Sequence, residues 1–405
     1  MTLRFGTDGV RGIANAELTP ELVLALGRAA ARVLGQGPSG SLSGRSGPFL
    51  VGRDTRISGP LLQAALSAGL AGEGADVIDL GVLPTPGVAW LSAADRLPAA
   101  MISASHNPFP DNGVKFFQAG GRKLSDETED HLEAELDRLV AAGGTETRRT
   151  GADLGRLLPG NGVDRYMAAL AASVDGRTLA GLSVVLDCGH GAASRVAPGV
   201  LRGLGAQVAV LNDAPDGVNI NHGCGSTHPE DLQQEVVARG AAVGLAFDGD
   251  ADRVLAVDHT GQLVDGDQII AICALDRQAH GRLPGDTVVV TVMANLGFRQ
   301  AMAANGIAMI ETPVGDRYVL EEMERGGWAL GGEQSGHIIF ADLATTGDGV
   351  LTGLQVLDVM ARTGRSLAEL AGVMVRLPQV LRSVPVAARV ARMEDSEELT
   401  LAVKD

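Results

Sequence analysis

Aromatic side chains are scarce in this 405-residue chain: two Trp, two Tyr and eight Phe. With hydrophobic residues at 45%, the cores must be filled largely by small aliphatic side chains. Cysteine is nearly absent too. Cys188, Cys224 and Cys273 lie far apart with no CxxC pair, which argues against a disulfide framework or a zinc ribbon. No uninterrupted apolar run approaches the about 18 residues of a membrane span, and Met1–Gly6 lacks an apolar leader core. The chain is therefore expected to be cytoplasmic and bound to no membrane. Positive charge is in deficit: Lys+Arg 33 against Asp+Glu 49 leaves −16, without a basic cluster, so a nucleic-acid partner is not expected.

Lysine is the scarcest cation. Only Lys115, Lys123 and Lys404 occur, and two of the three fall close together. Such clustering suits a place where a compact ammonium serves and a guanidinium fork does not; chance clustering on a solvated loop is the competing account. None of the three sits in a GxxxxGK[ST] loop, which excludes a Walker A site.

Fifty-five glycines suit many tight βα turns, and the periodicity alternates strands with helices. Strands are expected at 48–53, 76–81 and 99–103, with helices at 60–72 and 125–142, the latter capped by Ser125. The second cycle predicts strands 183–187, 207–211 and 241–247, a helix over 191–204 and a hairpin over 254–264. The third predicts helix 268–280, strand 287–292, helix 295–305, strand 308–312, helix 317–325 and a strand near 328–330. A glycine- and serine-rich stretch, 35–47, reads as a surface insertion. Three similar α/β domains with mixed sheets result, over 1–158, 159–257 and 258–370. Residues 371–405, with an apparent strand 379–388, are too few for a domain of their own.

Each unit has a strand that empties into a polar loop, and ligands in α/β folds collect at such carboxyl ends. The strongest is Asp248-Gly249-Asp250-Ala251-Asp252-Arg253. Three alternating carboxylates after an apolar strand repel one another without a cation, and hard oxygen ligands in a tight turn suit Mg2+. An EF-hand is excluded, since Arg253 stands where its glycine is required and His259 where its Glu is. Ser103-Ala104-Ser105-His106-Asn107-Pro108 offers a serine nucleophile with polar neighbours, or a plain turn. The adjoining Asp111-Asn112-Gly113-Val114-Lys115 favours the first, because Lys115 can stand beside a phosphate or move a proton. Gly331-Gly332-Glu333-Gln334-Ser335-Gly336-His337 can hydrogen-bond a polyol. The arginines of 4–12 and of Gly52-Arg53-Asp54-Thr55-Arg56 suit phosphate contact and ion pairing equally. Cys188-Gly189-His190-Gly191-Ala192-Ala193-Ser194, with Asp213 downstream, nearly fits a dinucleotide fingerprint, but Ser194 replaces its third glycine.

Taken together, Phe5–Gly12, Ser103–Pro108, Asp248–Arg253 and Gly332–His337 resemble the α-D-phosphohexomutase superfamily. Further matches are Cys224–Pro229, Pro313–Tyr318 and Thr345–Gly349, so the resemblance runs from Arg4 to about residue 372. It implies three domains around a central cleft: a phosphoserine domain, a metal-binding domain and a sugar-binding domain. Ser105 would carry phosphate, with Mg2+ between it and Asp248, Asp250 and Asp252. Arg11 and Lys115 would lie beside the transferred phosphoryl group, and Lys115 or His106 would serve as acid/base. Gly332, Glu333, Ser335 and Arg253 would hold the sugar phosphate, and Gln334 matches the glucosamine-type branch. The implied reaction interconverts glucosamine 6-phosphate and glucosamine 1-phosphate, with a catalytic trace of sugar bisphosphate as activator. Glucose or mannose phosphates are the alternative substrates, and a non-catalytic sugar-phosphate-binding protein the alternative class. The resemblance also implies a fourth, phosphate-gripping domain with an Arg-Pro-Ser-Gly-Thr-Glu-Pro loop. That run does not occur here, so 371–405 is expected to be its incomplete start and turnover of this chain to be impaired. His190 stands where the family usually has Asn.

Overall fold

The computed structural model describes residues 9–35, 46–143 and 148–380. Arg4–Asp8, most of the glycine- and serine-rich stretch, the greater part of the expected strand 379–388 and the rest of the expected fourth-domain segment lie outside the described residues.

The first unit runs β1 (Val10–Ile13), α1 (Pro20–Val33), β2 (Phe49–Arg53), α2 (Gly59–Gly72), β3 (Val77–Val82), α3 (Thr85–Asp95), β4 (Ala99–Ile102), β5 (Asp111–Phe117), α4 (Asp126–Ala141) and β6 (Leu157–Pro159). Its six strands lie in the order β1-β5-β4-β2-β3-β6. β2, β3, β4 and β6 pair in parallel, while β5 returns antiparallel to both β4 and β1. Ser125 caps α4 by accepting from the Thr128 amide, and three acids occupy the first turn, where the helix dipole favours them. The return strand β5 is not legible as a strand in sequence, because Asp111-Asn112-Gly113 carries turn chemistry; tertiary pairing overrides it.

The second unit comprises α5 (Gly162–Ala172), β7 (Ser183–Asp187), α6 (Ala197–Gly203), β8 (Gln207–Leu211), α7 (Glu230–Arg239), β9 (Val243–Phe247), β10 (Val254–Asp258) and β11 (Leu263–Val264). Its sheet order is β11-β10-β9-β7-β8, with the β10–β11 hairpin pairing Ala256 to Val264. The hairpin thus carries this sheet past residue 257. The helix expected over 191–204 is broken into a 3-10 turn, Ala192–Arg195, and α6. Pro198, in the first turn of α6, accounts for the break: it has no amide to donate back to Ser194.

The third unit holds α8 (Gly266–Ala279), β12 (Thr287–Thr291), α9 (Leu296–Ala304), β13 (Ala308–Thr312), α10 (Asp316–Gly326), β14 (Leu330–Gly332), β15 (Ile338–Phe340), α11 (Gly349–Thr363) and α12 (Leu367–Ala371). β13, β12 and β14 are parallel, and β15 folds back antiparallel. The strand expected at 328–330 lies instead at Leu330–Gly332, so the first glycines of the third polar loop are strand residues.

One apolar core joins the units. Leu83 and Val88 of the first, Tyr166, Leu186 and Phe247 of the second, and Ile270 and Leu354 of the third belong to a single buried cluster. α11 is buried on nearly every side, as expected of a helix apolar around most of its circumference. The fully buried Phe247 contributes about 1.5–3 kcal/mol by leaving water, and it ends the strand that launches the acidic loop. No helix among the described residues is long and apolar enough to cross a membrane.

Candidate functional site

β4 of the first unit ends at Ile102, and the chain then turns through Ser103–Pro108. Ser105 is buried, at 3% exposure, and its backbone is left-handed, with φ 52°. Such backbone is strained for a non-glycine residue and persists only where its surroundings hold it. Those surroundings are Arg56 and Asn221. The Arg56 guanidinium donates to the carbonyls of Ser105 (2.8 Å), Asn107 (2.9 Å), Pro108 and Asp111 (3.1 Å). The Asn221 side-chain amide donates to the Ser105 and Asn107 carbonyls at 2.9 and 3.1 Å. Ser103 Oγ donates to Asp54 Oδ2 at 2.8 Å and accepts the Ser105 amide at 2.9 Å. Ser103 is a strut of the turn.

Arg56 is fully buried and pairs with Asp54 at 2.9 Å. The phosphate contact entertained for it gives way to a structural role, because its guanidinium is occupied by Asp54 and the serine loop. Arg53 likewise points into the unit, donating to Gln63 Oε1 at 2.8 Å.

Ser105 Oγ donates to Asp248 Oδ2 of the second unit at 2.7 Å. This bond brings the serine of one unit against the acidic loop of another. Gly249 makes the approach possible: a Cβ there would lie 2.7 Å from the Ser105 carbonyl oxygen and 2.8 Å from the Asn221 amide. Asp248, Asp250 and Asp252 are all buried, and one carboxylate oxygen from each falls within 4.8 Å of the others. Asp250 Oδ2 accepts from Thr85 Oγ1 at 2.6 Å and from Lys115 Nζ at 3.2 Å. Asp252 Oδ2 stands 3.9 Å from Lys115 Nζ and 3.7 Å from His337 Nδ1. Asp250 Oδ1 and Asp252 Oδ1 are buried with no hydrogen-bond partner. Buried carboxylate oxygens left bare are costly, and a hard divalent cation with oxygen ligands is the partner that fits them.

Electrostatics agree with that fit. Burial, then the charges of Asp252 and Asp250, push the Asp248 carboxyl well above the usual range. Burial works against the Asp252 charge as well, yet His337, Lys115 and Arg253 hold it well below the usual range. Positive charge thus reaches Asp252 from the protein, whereas Asp248 stays short of it. Replacing Asp250 by Asn removes one anionic oxygen donor and keeps the shape. Mg2+ is then expected to bind about tenfold more weakly or worse by calorimetry. Equal affinity in Asp250→Asn would reduce the triad to an acidic turn.

β5 delivers Lys115, at 3% exposure, and β1 lays Arg11 beside Gly113 in register. His106 Nδ1 lies 3.5 Å from Ser105 Oγ. Burial, then the positive charges of Arg253 and Arg11, lower its affinity for a proton below the ordinary histidine value. The expected residues Ser105, His106, Lys115, Arg11, Asp248, Asp250, Asp252 and Arg253 are thus brought to one place.

The third loop joins through the backbone, the Val254 amide donating to the Gly336 carbonyl at 3.1 Å. Glu333 Oε1 accepts the Gly315 amide at 3.1 Å and Oε2 accepts Ser335 Oγ at 3.2 Å. Gly332 is buried in β14 and Ser335 is exposed. Gln334 turns the other way, its amide reaching Asp265 at 3.5 Å and Gln379 at 3.4 Å. The 188–194 turn packs on the acidic loop, the Ala192 amide donating to the Gly249 carbonyl at 2.8 Å, and this packing accounts for its glycine-rich character. Asp54, Arg56, Thr85, Asn221 and Asp316 support the site, and sequence reasoning assigned none of them that role. Asp54 and Arg56 lie in the ambiguous Arg-Asp-Thr-Arg run and Asp316 in the Pro313–Tyr318 match, whereas nothing marks Thr85 or Asn221.

Three family models match the chain: phosphoglucomutase/phosphomannomutase alpha/beta/alpha domain I over residues 2–142, domain II over 164–261 and domain III over 265–377. The chain is 56% identical over 401 residues to the phosphoglucosamine mutase of Symbiobacterium thermophilum, covering 98% of this chain and 87% of that one. It is 56% identical over 394 residues to that of Moorella thermoacetica, covering 96% and 86%. Among solved structures, a putative phosphomannomutase from Thermus thermophilus superposes with a TM-score of 0.78 at 28% identity, covering 92% of this chain and 83% of that one.

Proposed function

The chain belongs to the phosphoglucomutase/phosphomannomutase family of phosphohexomutases, and from that premise we propose that it interconverts glucosamine 6-phosphate and glucosamine 1-phosphate. The observation that carries the reading is the 2.7 Å bond from Ser105 Oγ to Asp248, which sets a strained, buried serine against a buried carboxylate triad. Ser105 carries the phosphoryl group in the resting enzyme, on the first of three domains; the second holds the metal and the third the sugar. Asp248, Asp250 and Asp252 would hold Mg2+, which when bound supplies positive charge beside the transferring phosphoryl group.

Phosphoryl transfer asks the protein mainly for in-line positioning and charge neutralisation. In the first half-reaction the bond between Ser105 Oγ and phosphorus breaks and one forms to a hydroxyl oxygen of the sugar phosphate. The hydroxyl proton leaves to a base and Ser105 Oγ regains a proton. The resulting bisphosphate turns over, the second phosphate transfers to Ser105, and the proton movements reverse. His106, beside Oγ and weakened as a cation, is suited to take a proton; Lys115, tied to Asp250, contributes charge, as do Arg11 and Arg253. Glu333 and Ser335 present oxygens for sugar hydroxyls.

Purified protein incubated with glucosamine 6-phosphate, Mg2+ and a trace of glucosamine 1,6-bisphosphate should accumulate glucosamine 1-phosphate, read by phosphorus NMR. Conversion of glucose or mannose phosphate in preference would shift the substrate. Binding with no conversion of any of the three, in this chain and in one extended by a family-type domain with the Arg-Pro-Ser-Gly-Thr-Glu-Pro loop, would refute the enzyme reading.

A further inference from the structure

Lys123 has no part in the reaction as set out above, yet with Lys115 it makes up the chain's unusual lysine pair. An isolated antiparallel bridge between Phe117 and Lys123 ties its backbone to the end of β5, the strand that carries Lys115. Its Nζ lies 2.6 Å from Asp316 Oδ2, across the seam between the first and third units. The two side chains are only 15% and 16% exposed, so this is a shielded pair and not a solvated surface one. The same Asp316 oxygen stands 3.5 Å from His337 Nε2. His337 is 2% exposed; its Nε2 accepts the Gly347 amide at 3.1 Å, and its Nδ1 faces Asp252 at 3.7 Å. The ring is packed flat on Gly347, where a Cβ would fall 2.4 Å from Nε2. A continuous line of contacts therefore runs from Lys123 through Asp316 and His337 to Asp252.

We infer that Lys123 is a positioning residue: its ammonium holds Asp316, Asp316 and the Gly347 amide orient His337, and His337 sets the position of Asp252 in the carboxylate triad. Left without Lys123, the Asp316 carboxylate would face the His337 nitrogen that the Gly347 amide occupies, and the ring would have two incompatible partners on one edge. With Lys123 in place, the Asp316 oxygen that faces His337 is itself engaged by the ammonium, and the ring is held toward Asp252. A compact ammonium on a flexible stem fits a seam that Arg122 and Arg317 already flank with their own acid pairs, at Glu324 and at Asp126 and Glu129. Groups behind a metal ligand act by fixing where it stands, so the effect reaches the triad without touching it.

The inference rests on the triad being a metal site, as the mutase reading requires, and its test reads metal affinity so that the two fail separately. Mg2+ is titrated calorimetrically into the full chain, Lys123→Met, Asp316→Asn and the double variant. Lys123→Met is expected to weaken Mg2+ about tenfold, and to add nothing in the Asp316→Asn background. Arg122→Met, which cuts the adjacent exposed pair to Glu324, should leave the affinity unchanged. Turnover of glucosamine 6-phosphate is measured alongside, with kcat falling in Lys123→Met more than KM rises. Mg2+ affinity within about twofold of the parent, losses that multiply in the double variant, or an equal loss in Arg122→Met would overturn the inference. A parent that binds Mg2+ but turns nothing over fails the mutase reading alone, and the affinity comparison still decides the role of Lys123. Should Lys123→Met not fold, Lys123→Gln carries the same comparison.

Discussion

Ser105→Ala is expected to abolish both phosphorylation of the chain and its turnover, a loss on the order of 10^4-fold or more, because the atom that carries the phosphoryl group is gone. The wild-type chain purified from bacterial cells should show a fraction heavier by one phosphate, mapped by peptide mass spectrometry to Ser105. The geometry discriminates between the two serines of the loop. Ser103 Oγ is held by Asp54 on one side and the Ser105 amide on the other, whereas Ser105 Oγ faces the triad. Left-handed backbone at Ser105 costs about 1–2 kcal/mol, a strain that Arg56 and Asn221 sustain from behind by gripping its carbonyl. That cost goes with aiming Oγ across the unit boundary. The substitution takes away only the hydroxyl and leaves the gripped carbonyl in place, so the variant should fold as the parent does. Phosphate found on Ser103, or turnover surviving in Ser105→Ala, would overturn the assignment.

What the sequence made legible follows from how local each signal is. The acidic loop announced itself because three carboxylates alternate within six residues at the end of an apolar strand, and no fold is needed to see that they repel. Strands β7, β8 and β13 stand at the expected residues, since their apolar runs are bounded by turn chemistry on both sides. β5 was hidden by turn-forming residues that only cross-strand pairing makes extended. The supports of the site were hidden for the same reason. Thr85 meets Asp250 across 165 positions and Asn221 meets Ser105 across 116, and nothing near either residue in sequence marks it. Arg56 shows the limit most plainly. An arginine among turn residues suits a phosphate or an acid equally, and only its burial against Asp54 and the serine loop decides.

That decision makes Arg56 the second position where a large loss is expected. Its guanidinium is wholly enclosed and joins one carboxylate to four backbone carbonyls of the serine loop. Arg56→Met keeps the length of the stem and removes every one of these donors. Breaking a buried pair from one side costs about 3–5 kcal/mol, since the remaining charge stays in the interior without a partner. Burial already pushes the Asp54 carboxyl upward and the guanidinium pulls it back, so in the variant Asp54 is expected to take up a proton. The four carbonyls lose their shared donor, and Asn221 alone can no longer hold Ser105 in left-handed backbone. Hydrogen exchange followed by mass spectrometry should show protection lost over residues 103–117 first, with the second and third units retaining theirs. Turnover should fall about a hundredfold, because a nucleophile displaced by an ångström loses in-line attack. Arg56→Lys separates charge from shape. A single ammonium can satisfy Asp54 but cannot span four carbonyls, so stability should recover in part while turnover stays low. Full protection of 103–117 together with parental turnover in Arg56→Met would show that Asn221 and the sheet hold the loop unaided. Arg56 would then be a buried ion pair with no hold on the chemistry.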